Sequence, residues 1–332
     1  MTVVSSESRI CADESLLKLY RSPKYISSIS INIIIPIISI FLLVYAIRQL
    51  CAQSIIQYST RVLLIATILY AICHQIAYFF FKIDLFYTML FKLDTPCLLQ
   101  RSSYECRFIT IGTTTGNCGL ALTQLAMSID RALALKFSKA YSQLRKISGV
   151  VLAIIFIVSF SMWFLLTIDD PLTGFVNHCG FYPTYSQAKF YSLLNATLYL
   201  AVFNFVLDVG LIFIYKGVFR QSYNFVNRYE SRISLQCTQA VFLISICQCI
   251  SNVLYSGLTS LLMVLGEYMN SDTYSFSLSV IYTTPYACLI LPLIVCKVLS
   301  YIKKKRTIAI RSLRNEKQDM DDHIARIKLA WK

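Results

Sequence analysis

The sequence predicts an all-α membrane protein, a bundle of seven transmembrane helices. Of its 332 residues, 56% are hydrophobic and only 14% are charged, whereas soluble domains carry about 25% charged residues. Seven apolar segments are long enough to cross the hydrocarbon core as helices, which takes about 20 residues each. The charged residues gather between these segments, so lipid rather than water must surround most of the apolar side chains.

All seven segments are expected to be helices, because a single span in lipid satisfies its backbone hydrogen bonds only in that form. The sixth segment is too long for one crossing and is expected to begin in the cytosol. Pro36, Pro285 and Pro292 fall inside spans, where neighbouring helices can absorb a kink. The predicted spans cover residues 26–47, 62–81, 108–129, 147–168, 190–215, 233–263 and 276–301.

The distribution of lysine and arginine predicts the orientation of the chain. The loops at one end, with the C-terminal tail, hold 22 of these residues, and the loops at the other end, with the N-terminal segment, hold 9. The positive-inside rule therefore places the N-terminus outside the cell and the C-terminus inside. This gives a short extracellular segment (1–25), a transmembrane domain (26–302) and a basic cytoplasmic tail (303–332). Most of the basic residues behind the net charge of +14 then lie on the cytoplasmic side, next to anionic lipid. Because the membrane accounts for this charge, we expect no nucleic-acid partner.

The third segment carries the most informative pattern. It begins with Cys106, continues through 22 uncharged residues at 108–129, and ends in the adjacent pair Asp130 and Arg131. The interval of 25 residues from Cys106 to Arg131 corresponds to about 37 Å of helix, so the two groups lie at opposite ends of one span. Charges at the end of a span require a partner or the membrane interface. The pair is therefore either a functional acid–base pair or an ordinary anchor at the membrane interface.

The twelve cysteines separate by predicted compartment. Cys11, Cys97, Cys106 and Cys179 lie outside the cell, where the environment is oxidising and three pairings are possible. The cysteines inside spans behave as small apolar residues. We therefore expect neither a metal site nor a cofactor.

These features resemble a G-protein-coupled receptor of the rhodopsin-like pattern, with a cysteine at the top of span three and Asp-Arg at its base. The resemblance implies a Cys106–Cys179 disulfide that ties span three to the second outer loop. It also implies that Arg131 is an activation switch facing a heterotrimeric G protein, with Asp130 as its inactive-state partner. The chain departs from the pattern, since it lacks an aspartate midway along span two, a Trp-x-Pro hinge in span six and Asn-Pro-x-x-Tyr in span seven.

More closely, the chain resembles the nematode serpentine receptor class alpha (Sra) chemoreceptors, and the related class AB is a near alternative. The shared features are Cys-Ala-Asp-Glu at 11–14 ahead of Arg21 and Ser22, Ser-Ile-Asp-Arg-Ala at 128–132, and the basic tail after Tyr301. The likeness extends over nearly the whole chain. It implies a multi-pass protein of the plasma membrane, in the ciliary membrane of chemosensory neurons, that detects small chemical ligands.

Polar residues in spans three, six and seven form the predicted ligand pocket. Thr113 and Asn117 recur at i and i+4 on one face of span three, and span six carries a similar polar stripe. Polar stripes in lipid prefer the interior of the bundle. The complete set of candidates is Thr113, Thr114, Asn117, Asn252, Tyr255, Thr259 and Tyr282.

Polar side chains in lipid also join helices by hydrogen bonds. This is the alternative for every pocket candidate, and it is the expected role of Gln124 and Gln248, which lie deeper in the membrane. Asp208 is expected to pair with Asn204 one turn away, and His74 is expected to be a neutral, hydrogen-bonded residue inside the bundle. Because span three has no acid in its outer half, we expect a neutral or weakly polar ligand.

Two classes of function fit seven spans. We favour a chemosensory receptor, in which a small molecule binds between the outer helix halves and biases the bundle toward a signalling state. The alternative is a ligand-gated channel or a transporter, although the outside N-terminus argues against the channel and the lack of paired repeats argues against the transporter. The spans show no facing carboxylates, histidine clusters or nucleophile motif that would indicate an enzyme. The sequence predicts no particular oligomeric state.

Overall fold

The computed structural model describes residues 14–52, 56–136, 145–176, 178–180, 184–221, 225–265, 268–269, 271–304 and 307. These residues are largely helical, and seven of the helices are long and apolar enough to cross a membrane. The predicted seven-helix membrane bundle is confirmed. Cys11, residues 137–144 and most of the predicted basic tail (303–332) lie outside the described residues.

Nine α-helices and one short antiparallel strand pair form the described part of the chain, with single 3-10 turns at Pro96–Leu98 and Thr184–Ser186. In chain order the elements are α1 (Glu14–Arg21), α2 (Pro23–Ala52), α3 (Tyr58–Phe91), β1 (Arg101–Ser102), α4 (Arg107–Lys136), α5 (Arg145–Leu166), β2 (Phe175–Val176), α6 (Gln187–Gln221), α7 (Phe225–Leu265), α8 (Ser271–Ile281) and α9 (Thr284–Lys304). The helices that are long and apolar enough to cross a membrane are α2 to α7 and α9.

Helix α3 is longer than the span that the sequence predicts. The predicted span ends at residue 81, whereas α3 continues to Phe91. Leu85 and Met89 on this additional stretch are buried in an apolar cluster together with residues of α1. Burial of these side chains favours continued helix, despite the two charged residues nearby in the sequence. Lys82 consequently belongs to the helix and is buried, with 2% of the residue exposed.

The seventh predicted span is interrupted. Helix α8 ends at Ile281 and α9 begins at Thr284, so Tyr282 and Thr283 lie between two helices. Pro285 explains the interruption, because proline has no N–H to donate to the carbonyl of Ile281 four residues earlier, and its ring clashes with that carbonyl in a continuous helix. The interruption releases Tyr282 from the helical register and places its side chain against α3, α4 and α7.

Helix α4 lies at the centre of the bundle. It contacts α3, α5, α6 and α7. Helices α5 to α7 carry exposed large apolar side chains such as Phe156, Phe213 and Leu261, which suit contact with lipid tails. We name the two ends of the bundle after the groups at the two ends of α4: the disulfide end, at Cys106, and the Arg131 end.

Two glycines allow α4 to approach α3 closely. A Cβ atom on Gly116 would lie 2.6 Å from Cβ and 3.0 Å from Cα of His74, and a Cβ on Gly119 would lie 2.1 Å from the Tyr70 ring. Small residues commonly occupy such contacts between membrane helices, since they let the backbones come together. The contact holds α3 in register with the central helix.

The disulfide end is held by covalent and backbone bonds. Cys106, just before α4, is bonded to Cys179 in the segment between α5 and α6. Strand β1 pairs with β2 beside this bond, with Arg101 opposite Val176. Cys97 is disulfide-bonded as well, whereas the described cysteines of the spans are free thiols.

Helix α1 packs over the disulfide end. It contacts α2 and α8, and its residues Leu16, Leu19 and Tyr20 are buried in the same apolar cluster as Phe81 and Val176. Desolvation raises the pKa of the Tyr20 hydroxyl above its ordinary value. The described part of the N-terminal segment is therefore part of the packed structure.

We expect Gly116→Ala to lower the free energy of unfolding by about 1–3 kcal/mol, because overpacking a tight contact has roughly that cost. The apparent melting temperature of the purified protein in detergent measures the effect. Gly257→Ala is the matched control, since a Cβ there would meet no atom within 4 Å. An unchanged melting temperature for Gly116→Ala would contradict the close approach of α3 and α4.

The double variant Cys106→Ser, Cys179→Ser should lose about 2–4 kcal/mol of stability, the usual contribution of a disulfide that closes a long loop. We expect lower surface expression and a lower apparent melting temperature. Cys51→Ser, at an exposed free thiol, controls for loss of a cysteine. Failure to find the linked peptide in a non-reducing digest of the wild-type protein would refute the assignment.

Candidate functional site

The acid–base pair at the Arg131 end is buried and bonded to α3. The Arg131 side chain is 0% exposed and that of Asp130 10% exposed, and Arg131 Nη2 lies 2.5 Å from Asp130 Oδ2. Ser59 and Thr60 donate to the two carboxylate oxygens at 2.7 and 3.0 Å. Arg131 Nη1 donates to Gln57 Oε1 at 2.5 Å. We call these five residues the Arg131 clamp.

A second helix reaches the clamp through the backbone. The hydroxyl of Tyr215, near the Arg131 end of α6, donates to the carbonyl oxygen of Arg131 at 2.8 Å. Tyr215 is itself buried, with 2% exposed. The end of α4 is thus bonded to α3 through side chains and to α6 through its main chain.

A buried polar chain joins three helices about two turns away from the clamp. Gln124 of α4 donates through Nε2 to Ser245 Oγ of α7, and that hydroxyl donates to Asp208 Oδ2 of α6. The predicted pairing of Asp208 with Asn204 is wrong. The carboxylate instead reaches across to α7, because Ser245 offers it a donor, and the Asn204 side-chain amide has no partner within the described part of the chain.

A cavity of about 50 Å³ lies between α4, α6, α7 and α9. It has room for a few waters or a small organic group, since one water needs roughly 10–15 Å³ of such space. Among the described residues, its wall contains no carboxylate, lysine, arginine or histidine. We call it the Tyr255 cavity; it is lined by Asn117, Leu120, Ala121, Leu194, Thr197, Gln248, Ser251, Asn252, Tyr255, Thr284 and Ala287.

Tyr282 stands beside this cavity and connects it to α3. Its hydroxyl lies 2.5 Å from His74 Nε2 and accepts a 3.4 Å hydrogen bond from Asn117 Nδ2. Its ring meets the ring of Tyr255 edge-on, with centroids 5.1 Å apart. His74 is fully buried, so the expected hydrogen-bonded histidine inside the bundle is present, with Tyr282 as its partner.

The predicted pocket residues divide into two groups. Asn117, Asn252 and Tyr255 lie on the cavity wall, and Tyr282 is in contact with two of them. Thr113, Thr114 and Thr259 do not line it. Thr113 donates to carbonyl oxygens of its own helix at 3.0 and 3.2 Å, which is common for threonine in a membrane helix. Thr114 and Thr259 are buried, without a hydrogen-bond partner among the described residues.

Sequence reasoning missed several residues of the wall. Gln248 is expected to join helices, but it lines the cavity, and its Oε1 atom is buried without a partner in the described structure. Ser251 lies three residues after Gln248 and shares its helical face, so the spacing alone could have identified it. Thr197 and Thr284 depend on which faces of α6 and α9 turn inward, which no spacing in the sequence specifies.

The composition of the cavity wall suits the binding of a small molecule. The cavity offers amide and hydroxyl groups within an apolar surround, which is the usual composition of a small-molecule site. Among the described residues, no three His, Cys, Asp or Glu side chains converge as a metal centre would require. The cavity lies beside the middle of α4, at Asn117 to Ala121. The clamp lies about three to four turns farther along the same helix, at its Arg131 end.

Comparisons with known proteins agree on one family. Residues 6–331 match the family described as serpentine type 7TM GPCR chemoreceptor Sra. Serpentine receptor class alpha-13 of Caenorhabditis elegans is 70% identical, and its Caenorhabditis briggsae counterpart is 58% identical, each over 100% of both chains. Serpentine receptor class alpha-11 of C. briggsae is 33% identical over 98% of this chain and 99% of its own. The chain therefore belongs to the serpentine class alpha (Sra) chemoreceptors, a family of multi-pass membrane receptors of the G-protein-coupled type.

Proposed function

We propose that the protein is a chemosensory receptor that binds a small molecule at the disulfide-end half of the bundle and signals to a heterotrimeric G protein at the Arg131 end. The observation that carries this proposal is the Arg131 clamp. A guanidinium removed from water is costly unless its charge and its donors are matched. The clamp matches them through Asp130 and Gln57, so a rearrangement that separates α3 from α4 would expose Arg131.

The spacing of polar residues along α4 and α6 supports coupling between the two ends. Asn117, Gln124 and Arg131 are seven residues apart, so they lie on one face of α4. They belong in turn to the cavity wall, the buried polar chain and the clamp. A ligand that shifts α4 against its neighbours would act on all three levels, provided that it favours one arrangement over the other.

Helix α6 repeats this order. Thr197 lines the cavity, Asp208 accepts from the buried polar chain, and Tyr215 donates to the Arg131 carbonyl. Asp208 and Tyr215 are also seven residues apart. Two helices thus carry matching polar groups at three depths, which is the kind of discrete contact network that can have two alternative arrangements.

The distribution of basic residues supports the proposed orientation. The excess of lysine and arginine at the Arg131 end supports a cytoplasmic position for the clamp, where a G protein would bind. Family membership supports the receptor over the channel or transporter alternative. We propose the ciliary membrane of chemosensory neurons as the site of action.

Thr60→Val should raise ligand-independent nucleotide exchange on the G protein by about tenfold, since a hydrogen bond to a charged group contributes roughly 1.5–3 kcal/mol. The substitution preserves shape and removes the donor to Asp130 Oδ2. Thr67→Val is the matched control, because that buried hydroxyl of α3 donates only to Leu63 of its own helix. Exchange that rises equally in both variants would contradict the role of the clamp.

Arg131→Ala should abolish exchange, both alone and in the Thr60→Val background, while the receptor still reaches the cell surface. The reason is that the proposed contact with the G protein needs the released guanidinium. Arg107→Ala, which changes an arginine at the other end of α4, should leave exchange intact. Normal nucleotide exchange with Arg131→Ala, at equal surface density of the receptor, would contradict the assignment of Arg131 as the switch.

A further inference from the structure

A buried lysine at the disulfide end forms no salt bridge with any acid that the structure describes. Lys82 of α3 is 2% exposed. Its ammonium lies over the rings of Phe81 and Tyr78, with distances to the ring centroids of 4.5 and 5.2 Å. Among the described residues it takes part in no salt bridge and no hydrogen bond. A buried cation without a partner is unusual, because lysine is almost never fully buried unless paired.

Two acids at this end of the bundle are paired with basic residues other than Lys82. Asp84, the nearest in the sequence, is two residues along the helix, so it projects from a different face. It is bonded to Arg101 at 2.5 Å. Asp169 is bonded to Lys189 at 2.7 Å. Among the described residues, the contacts of the Lys82 ammonium are therefore the faces of two aromatic rings, which return part of the hydration free energy lost on burial.

His178 is a polar neighbour of Lys82 and supplies no negative charge. His178 follows β2, and its ring lies 5.3 Å from that of Phe81. Its Nδ1 atom accepts from the Gly180 N–H at 3.1 Å. Desolvation and the Lys82 charge lower the pKa of His178 to about 3, so this imidazole is neutral at physiological pH. Lys82 thus faces one neutral imidazole and an aromatic surface.

Lys82 is also connected to the ligand cavity. The Tyr78 ring beneath its ammonium lies 5.5 Å from the ring of Tyr282, and Tyr282 lies 5.1 Å from Tyr255 on the cavity wall. Three tyrosines therefore link the buried charge to the proposed binding site. An anion that bound Lys82 would press on the same side chains that line or border the Tyr255 cavity.

We propose that Lys82 is the anchoring cation for the acidic group of a small organic acid, a carboxylate on an apolar body. The inference rests on the proposed function, since it names the chemical class of the receptor's ligand. A single ammonium matches one carboxylate, and the surrounding Tyr78, Phe81 and Tyr282 match an apolar body. This revises the neutral ligand expected from the sequence. The site is closed in this structure, so binding requires local opening at the disulfide end.

The test compares purified wild-type receptor with Lys82→Met by thermal denaturation. The probes are straight-chain carboxylates from acetate to octanoate and phenylacetate, each beside its primary amide. We expect the acids to raise the melting temperature of the wild type and the amides not to do so. In Lys82→Met we expect acid binding to weaken by about 30-fold or more, as for loss of one member of a buried charge pair. Lys92→Met, at a half-buried lysine over Tyr87, is the matched control.

Without any probe, Lys82→Met should melt at a higher temperature than the wild type, because methionine fills the space without a buried charge. A variant that melts lower, or does not fold, would show that Lys82 is structural and would overturn the inference. So would acids that shift both proteins equally, or a wild type that responds to no acid of the series. Acid binding without any G-protein exchange would instead remove the proposed coupling and leave this site standing.

Discussion

Burial of the Arg131 guanidinium is the constraint on which the Arg131 end depends. The side chain is fully buried, so the groups that surround it must supply its counter-charge and its hydrogen-bond acceptors. Helix α3 supplies Ser59 and Thr60, and Gln57 lies just before its first residue. These bonds fix the position of α3 against α4. That position is possible because Gly116 lets the two helices meet without a side chain between them. A small residue in mid-membrane and an ion pair at the membrane edge thus stabilise one interface.

The same interface relates the two ends of the molecule. His74 lies opposite Gly116 and is also bonded to Tyr282 beside the Tyr255 cavity. Helix α3 is therefore one rigid element that contacts both the border of the cavity and the clamp. Movement of α3 against α4 would alter both sites together, and a charged ligand at Lys82 would act on this helix directly. The polar levels on α4 and α6 supply the remaining connections between the cavity and the clamp.

Much of the fold was predictable from residue type and spacing, because lipid allows few alternatives to a helix. The sequence could not predict that α3 continues to Phe91, since that depends on burial of Leu85 and Met89 against a distant segment. The predicted span ends at residue 81 and leaves Lys82 in a loop, so the sequence does not predict that Lys82 is buried. The spacing of the sequence predicts a partner for Asp208 on its own helix, whereas its partner Ser245 comes from α7. Partners across helices depend on rotation about each helix axis, which periodicity constrains only loosely.

Topology is the most direct test of the proposal that the Arg131 clamp faces the cytosol and the disulfide end faces outward. Epitope tags at the two termini, probed by antibody on intact and on permeabilised cells, measure it without any ligand. We predict labelling of the N-terminal tag on intact cells and of the C-terminal tag only after permeabilisation. The reverse pattern would place Arg131 outside the cell and would contradict its proposed contact with a G protein.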